Sequence, residues 1–163
     1  MNFRDELNKK IKPMKNEYDE TRVEIEKEAR RLYSSIKEIL LLKAETGNYI
    51  YKHNMRYVSF YQFLSSRIEK YITITYSPSV KVGTFIQSEY KRMNDERFII
   101  NPQYYNEYME LMNLLEKLCE KDRIRITPVI RNKYTKEEYA FPSPVLGVDV
   151  SDCYFALKCS VYC

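Results

Sequence analysis

The side chains that most often carry out chemistry are scarce in this sequence. His53 is the only histidine, so one chain cannot build a two-histidine metal site, and any Ser-His or Cys-His catalytic pair would need this residue. Its polar neighbours favour an exposed loop position. The glycines are Gly47, Gly83 and Gly147, which are too widely spaced to form a phosphate-binding loop. Nucleotide-binding enzymes of the P-loop and Rossmann kinds are therefore excluded.

The cysteines do not form a recognisable metal motif. They are Cys119, Cys153, Cys159 and Cys163, and the last three have the spacing C-x5-C-x3-C. Structural zinc sites usually begin with a tight C-x2-4-C knuckle, which is missing here. Cys119 falls on the apolar stripe of a predicted helix, where a thiol acts as a small core residue. We therefore predict reduced, structural thiols and no bound metal or cofactor.

One short stretch resembles an enzyme. Residues Leu146 to Leu157 pass through Asp149 and Asp152, and they resemble the first hairpin of ribonuclease-H-like folds. The resemblance implies a magnesium-dependent nuclease in which Asp149 is the first metal ligand and Asp152 a second. The alternative is a turn aspartate after a buried strand. We favour that alternative and predict no catalytic residue.

Composition indicates a globular protein. The chain has 163 residues, of which 44% are hydrophobic and 31% charged, which fits a single domain spanning 1–163. No run of eighteen apolar residues could span a membrane. The first residues are polar and acidic, unlike a secretory signal, so we expect a cytoplasmic location.

The first 46 residues are predicted to form a helical arm. Apolar residues recur at the spacing of one helix face, and they include Tyr18, Ile25, Ala29, Leu32, Ile36 and Ile39. Asn16 is the predicted N-cap, and Pro13 should make Phe3 to Ile11 a separate short helix or a kinked lead-in. Gly47 should end the helix. So long a helix could wrap across its own sheet or pair with a second copy as a homodimer.

The body, residues 47–163, is predicted to add two helices and an antiparallel sheet. One helix is expected at 54–70, with Tyr57 and Phe60 on its apolar face. The other should enter at Asn101 and Pro102 and continue to about Asp122. The fold class is therefore α+β, with a long N-terminal helix and two further helices packed on the sheet.

The sheet is predicted from alternating residues and turn signals. The expected strands include Ile72 to Tyr76 paired with Val80 to Ile86, a hairpin joining Ile130 and Tyr139, and a final hairpin of Val145 to Val150 with Tyr154 to Val161. Gly83 suggests a bulge in its strand. Pro128 should lie at a sheet edge or end its strand.

The surplus positive charge is concentrated in the middle of the chain. Residues 47–100 hold eight basic and four acidic residues, which accounts for the whole net charge of +4. Many aromatic residues lie in the same segment, and lysine or arginine beside tyrosine suits phosphates and unstacked bases. The predicted binding residues are Lys52, His53, Arg56, Tyr57, Arg67, Lys70, Tyr71, Lys81, Lys91 and Arg92.

These observations favour a non-enzymatic protein that binds a macromolecule. Small size, the long helix and a residue usage typical of AT-rich genomes suggest an accessory protein of a phage or mobile element that inhibits or regulates a host protein complex. A protein partner is therefore expected, since an acidic surface would be attracted to the same basic residues. One alternative is an RNA- or DNA-binding protein that uses residues 47–100, and another is a nuclease that uses Asp149.

Overall fold

The structure, a computed structural model, describes residues 2–63, 69–76, 96–142 and 150–163, with the backbone alone at 12–19, 63, 76 and 96. The chain has an α+β fold, in which an antiparallel sheet of five strands and a second sheet of two strands accompany the helices. None of the described helices is long and apolar enough to cross a membrane.

Helix α1 spans Phe3–Glu45 and begins earlier than the sequence suggested. The side chain of Asn2 accepts a hydrogen bond from the Asp5 amide at 2.9 Å, so Asn2 is the N-cap. The prediction of Asn16 as the cap is therefore wrong. Phe3 to Ile11 belong to the same helical element as the residues that follow, and the predicted kinked lead-in stays a prediction. The helix continues through Pro13, where the proline removes a single backbone donor.

The C-terminal end of α1 confirms the predicted stop at Gly47. Its φ is +76°, which glycine adopts without steric cost. The amide of Gly47 donates to the Ala44 carbonyl at 3.2 Å, and the amide of Asn48 donates to the Lys43 carbonyl at 2.8 Å. This pair of hydrogen bonds is a Schellman motif, and it provides donors for carbonyl groups that have no partner within the helix.

One face of α1 is buried along the second half of the helix. Its core residues, each less than a tenth exposed, are Ile25, Ala29, Leu32, Ile36 and Leu40. The predicted spacing is thus confirmed over this stretch, and this face packs against the second helix and strand β2. Tyr18 lies outside the residues whose side chains are described.

The larger sheet has the order β1-β2-β7-β5-β6, and all its pairs are antiparallel. Its strands are β1 (Ile50–Lys52), β2 (Met55–Phe63), β5 (Arg125–Asn132), β6 (Glu138–Ala140) and β7 (Cys153–Tyr162). The smaller sheet pairs β3 (Ile72–Tyr76) with β4 (Glu96–Ile100). Strand β3 is confirmed. Its predicted partner, Val80 to Ile86 with Gly83, lies outside the described residues.

The predicted helix at 54–70 is wrong over 55–63, which form β2. Val58 and Phe60 are buried while Tyr57, Ser59 and Tyr61 are only partly so, which is the two-residue period of a strand. The aromatic and β-branched residues here also favour a strand. A short apolar run does not by itself distinguish the 3.6-residue period of a helix from the two-residue period of a strand. Here the pairing with β7 shows that the segment is a strand.

The C-terminal strand is the centre of the large sheet. Strand β7 pairs with β2 on one side and with β5 on the other, so the predicted final hairpin is wrong. Val150 lies in a 3-10 turn, Val150–Asp152, and residues 143–149 lie outside the description. The hairpin of β5 and β6 is confirmed, with Ile130 opposite Tyr139.

Pro128 lies inside β5, so the prediction that it ends its strand is wrong. Pro128 nevertheless removes no hydrogen bond between β5 and β7. The Phe141 amide donates to its carbonyl at 3.4 Å, which shows that the backbone polar groups of Pro128 face the β6 side. Strand β6 has already ended at Ala140. The proline thus occupies a local edge within a paired strand.

The predicted helix entry at Asn101 and Pro102 is confirmed. The Asn101 side chain accepts from the Gln103 amide at 3.2 Å, a 3-10 turn spans Pro102–Tyr104, and helix α2 follows at Tyr105–Glu120. This helix buries Tyr108, Leu111, Met112, Leu115 and Cys119. The core lies between α1, α2 and one face of the large sheet, which contributes Val58, Phe60, Ile126, Ile130, Phe155, Leu157 and Cys159.

Candidate nucleic-acid interface

Six of the ten predicted binding residues are among the described residues, and they lie in two separate places. Four of them belong to the hairpin of β1 and β2, namely Lys52, His53, Arg56 and Tyr57. Lys70 and Tyr71 lie in the turn immediately before β3. The remaining four, Arg67, Lys81, Lys91 and Arg92, lie outside the described residues.

The hairpin turn explains the position of the only histidine. His53 and Asn54 have φ values of 54° and 62°, and they are the two residues between β1 and β2. Two-residue hairpins favour such left-handed residues because they match the twist of the strands. Histidine and asparagine tolerate this conformation better than most side chains. His53 is exposed in this turn.

Strand alternation divides the hairpin's side chains between two faces. Tyr57 is opposite Ile50 on β1 and opposite Tyr162 on β7, so these residues share the face turned away from the core. The rings of Tyr57 and Tyr162 lie 4.8 Å apart at an angle of 44°. The ammonium group of Lys52 lies 5.3 Å from the centre of the Tyr57 ring. A cation and two aromatic rings thus meet across three strands.

We call this side of the large sheet the outer sheet face. It is rich in tyrosines and cations. Its aromatic and charged members, apart from Phe63, are Lys52, Tyr57, Tyr61, Arg125, Arg131, Glu138, Tyr154, Lys158 and Tyr162. Among the described residues of this face, four carry positive charge and one carries negative charge.

The outer sheet face is accessible at one end and closed at the other. Val129 and Ala156 are 4% and 0% exposed although they lie on this face. Nearby, the guanidinium of Arg131 lies 4.0 Å from the Tyr61 ring and donates to the Tyr154 hydroxyl at 3.3 Å.

Lys158 already forms an ion pair within the protein. Its ammonium group pairs with the Glu138 carboxylate at 3.3 Å on the outer sheet face. Lys158 and Glu138 neutralise each other near the closed end, so these two side chains are poor candidates for contact with a ligand.

The accessible end carries exposed rings and cations. Ile50, Met55 and Tyr162 are 58%, 45% and 40% exposed, and Lys52 and Arg125 are exposed as well. We call this set the basic aromatic patch, and it consists of Ile50, Lys52, Met55, Tyr57, Arg125 and Tyr162. Only Lys52 and Tyr57 were among the residues predicted from sequence. Arg125 and Tyr162 join them through the sheet register.

Arg56 lies on the opposite face of the same hairpin. Its guanidinium is 5.7 Å from the Tyr49 ring, and its contact with the Tyr51 hydroxyl raises the pKa of the guanidinium. The backbone of Arg56 exchanges two hydrogen bonds with Cys163, at 2.8 and 3.1 Å. Arg56 therefore does not share a surface with Lys52, although Tyr51 beside it is 70% exposed.

Tyr71 is a core residue. Its side chain is 6% exposed, and its ring packs edge-on to Tyr104 and Tyr108 with centroids 5.9 and 6.5 Å away. Its hydroxyl is 3.5 Å from a Glu107 carboxylate oxygen. Burial, and to a smaller extent the negative charge of Glu107, raises the pKa of Tyr71 to about 12. Its predicted role as a stacking platform is therefore wrong, because the ring cannot reach a base. Lys70 beside it is exposed.

Within residues 2–63, 69–76, 96–142 and 150–163, no three histidine, cysteine, aspartate or glutamate side chains come together as a metal site would require. Asp149 lies outside these ranges, and the Asp152 carbonyl accepts from the Lys133 amide at 2.8 Å. Cys119 and Cys159 are fully buried, and burial raises the pKa of these thiols to about 11 and about 12. Protonated, enclosed thiols are poor nucleophiles.

Comparison with known protein families, with curated proteins and with solved structures finds no match to this chain.

Proposed function

We propose that this protein is a non-enzymatic binding protein whose ligand is a single-stranded nucleic acid, held on the basic aromatic patch. The observation that carries the proposal is that the Lys52 ammonium group lies 5.3 Å from the centre of the Tyr57 ring, which itself lies 4.8 Å from the Tyr162 ring. Arg125 is exposed on the same face of the sheet. These groups come from four strands, so the folded sheet positions them before any ligand arrives.

The chemistry of the patch suits an unpaired strand better than a duplex. Lysine and arginine neutralise phosphates, and tyrosine rings stack on bases whose faces are accessible. In a duplex the base faces are covered by their neighbours, so the rings would have nothing to stack on. The excess of cations over carboxylates on the described part of the outer sheet face attracts a polyanion.

Fluorescence anisotropy with a labelled single-stranded oligonucleotide tests the proposal. The double variant Lys52→Glu with Arg125→Glu should bind at least about tenfold more weakly, because two phosphate contacts become repulsive. The matched control is Lys27→Glu with Lys121→Glu, which changes one exposed lysine of α1 and the exposed lysine that follows α2, and which gives the same net charge. The control should retain most of the affinity.

Two further measurements, at rising salt concentration and with a duplex of the same sequence, make the test decisive. Affinity for the single strand should fall steeply as salt rises, and an equivalent duplex should bind more weakly. The proposal fails if the parent protein does not bind the single strand at low salt. It also fails if the control variant loses as much affinity as the patch variant, since net charge alone would then explain binding.

A second candidate function is recognition of an acidic protein. Ile50 and Met55 are 58% and 45% exposed beside the cations of the patch, and apolar contacts flanked by lysine and arginine would suit an acidic amphipathic segment. This candidate retains the prediction of an accessory protein that regulates a host complex. Capture from nuclease-treated lysate that is lost on Met55→Asp would favour it, whereas capture that disappears on nuclease treatment would favour the nucleic acid.

The nuclease alternative stays a prediction, because Asp149 lies outside the described residues. A divalent-metal-dependent cleavage assay on the parent protein and on Asp149→Ala would decide it. Equal cleavage by the two proteins would end that hypothesis.

A further inference from the structure

The first turns of α1 differ from the rest of the helix in being exposed on every side. Every residue from Asn2 to Ile11 is exposed, whereas the face from Ile25 to Leu40 is packed into the core. The exposed segment nevertheless carries three large apolar side chains. Phe3, Leu7 and Ile11 are 76%, 40% and 48% exposed.

These three residues form one continuous stripe, which we call the N-terminal stripe. Side chains four residues apart are neighbours on a helix, so the stripe follows a single face. Asp5 and Lys9 fall on the opposite face at 100° per residue. An apolar line on an otherwise charged and exposed helix is the pattern of a helix that pairs with another helix.

We infer that the N-terminal stripes of two copies of this chain pair antiparallel and form a homodimer. Leu7 is the middle residue, so a two-fold axis beside it places Phe3 of each copy against Ile11 of the other. Each copy then contributes the same three residues to the interface, as two-fold symmetry requires.

The charges beside the stripe complement one another in this arrangement. Glu6 and Lys10 lie on the same flank of the stripe, one helical turn apart. Reversing the direction of one helix brings Glu6 of each copy beside Lys10 of the other, so two attractive contacts form. The stripe is therefore complementary to itself, which argues for a second copy as its occupant.

Light scattering coupled to size-exclusion chromatography tests the dimer across a range of protein concentrations. The parent protein should approach twice the chain mass of 19.7 kDa at high concentration and fall towards it on dilution. Leu7→Asp should remain at the chain mass, because it places a carboxylate on the axis.

The matched control is Val23→Asp. Val23 is an exposed apolar residue of the same helix, 50% exposed, and it lies about 160° around the helix from Leu7. This variant should dimerise like the parent. A parent protein that stays at the chain mass at every concentration overturns the inference, and so does a Leu7→Asp variant that still dimerises.

Disulfide trapping tests the direction of the helices. The background is Cys163→Ser, since Cys163 is exposed while Cys119, Cys153 and Cys159 are buried. Under mild oxidation, a mixture of Phe3→Cys and Ile11→Cys proteins should cross-link to each other. Each variant alone should cross-link little. Efficient cross-linking of Phe3→Cys with itself would indicate parallel helices and overturn the antiparallel pairing.

The dimer is independent of the proposed nucleic-acid binding. Leu7 is on α1 and the basic aromatic patch is on the large sheet. Leu7→Asp should therefore change the mass and leave the affinity per chain for a short oligonucleotide within about twofold. The two proposals can fail separately.

Discussion

Lys52 and Lys70 each hold an ammonium group 5.3 Å from the centre of a tyrosine ring, which is Tyr57 for the first and Tyr71 for the second. The surroundings of the two pairs differ. Tyr57 is partly exposed, and its ring contacts that of Tyr162, a residue that is 40% exposed. Tyr71 is 6% exposed and lies among Tyr104, Tyr108 and Glu107.

The comparison shows that the same pair of residue types can serve opposite purposes. At Tyr71 the ring fills the core and the lysine covers its rim, so the pair contributes to stability. At Tyr57 the ring has an accessible neighbour, and the cation remains in solvent, so the pair can meet a ligand. Exposure of the ring, more than the cation's distance, separates a binding site from a packing contact.

The largest difference between the Lys70–Tyr71 pair and the Lys52–Tyr57 pair should appear in the free energy of unfolding. Tyr71→Ala should lower the free energy of unfolding by about 3–5 kcal/mol, because it removes a buried aromatic ring and leaves a cavity. Tyr162→Ala, at an exposed ring, should cost less than about 1 kcal/mol. Urea unfolding followed by circular dichroism measures both. A smaller loss for Tyr71→Ala than for Tyr162→Ala would contradict the assignment of Tyr71 to the core.

The second difference should appear in ligand affinity, and it rests on the proposed nucleic-acid binding. Tyr162→Ala should weaken binding of a single-stranded oligonucleotide by roughly 5- to 150-fold, which corresponds to about 1–3 kcal/mol for one stacked base. Tyr71→Phe keeps the buried ring and should leave the affinity unchanged. Anisotropy titrations at one salt concentration compare the two. Equal affinity of Tyr162→Ala and the parent would remove Tyr162 from the interface.

The smallest difference should appear at alkaline pH. Burial and Glu107 raise the pKa of Tyr71 to about 12, above the value near 10 of an unfolded tyrosine. A raised pKa in the folded state stabilises the protein fully below pH 10, and this contribution is lost as pH rises from 10 towards 12. Unfolding measured between pH 9 and 11 should therefore show a shallower loss of stability for Tyr71→Phe than for the parent. Parallel curves would mean that Tyr71 ionises as easily in the folded state as in the unfolded one.

Features determined by a few neighbouring residues could be predicted from the sequence. Asn101 and Pro102 mark the entry to α2, and Gly47 marks the end of α1, because caps depend on local backbone hydrogen bonds. The buried face of α1 followed from its spacing. The N-cap at Asn2 was missed because Pro13 suggested a break, whereas the helix continues through it.

Features determined by strand pairing could not be predicted. Residues 55–63 carry an apolar pattern that fits either a helix or a strand, and only pairing with β7 chooses between them. Arg125 and Tyr162 lie far from Lys52 in the sequence, so their place in the basic aromatic patch depends on the register of four neighbouring strands. The sequence pointed to Lys52 and Tyr57 through local charge, and it also pointed to Tyr71, whose burial is a tertiary property.

The central position of β7 also governs the order in which the molecule can assemble during synthesis. Tyr57 is opposite Tyr162, so the two residues are made roughly one hundred positions apart, and β2 and β5 must wait for the strand that joins them. Until then the aromatic β1–β2 hairpin exposes an unpaired edge in the nascent chain. Helices α1 and α2 are made before β7, and we expect the protein to emerge as a helical intermediate whose sheet closes last.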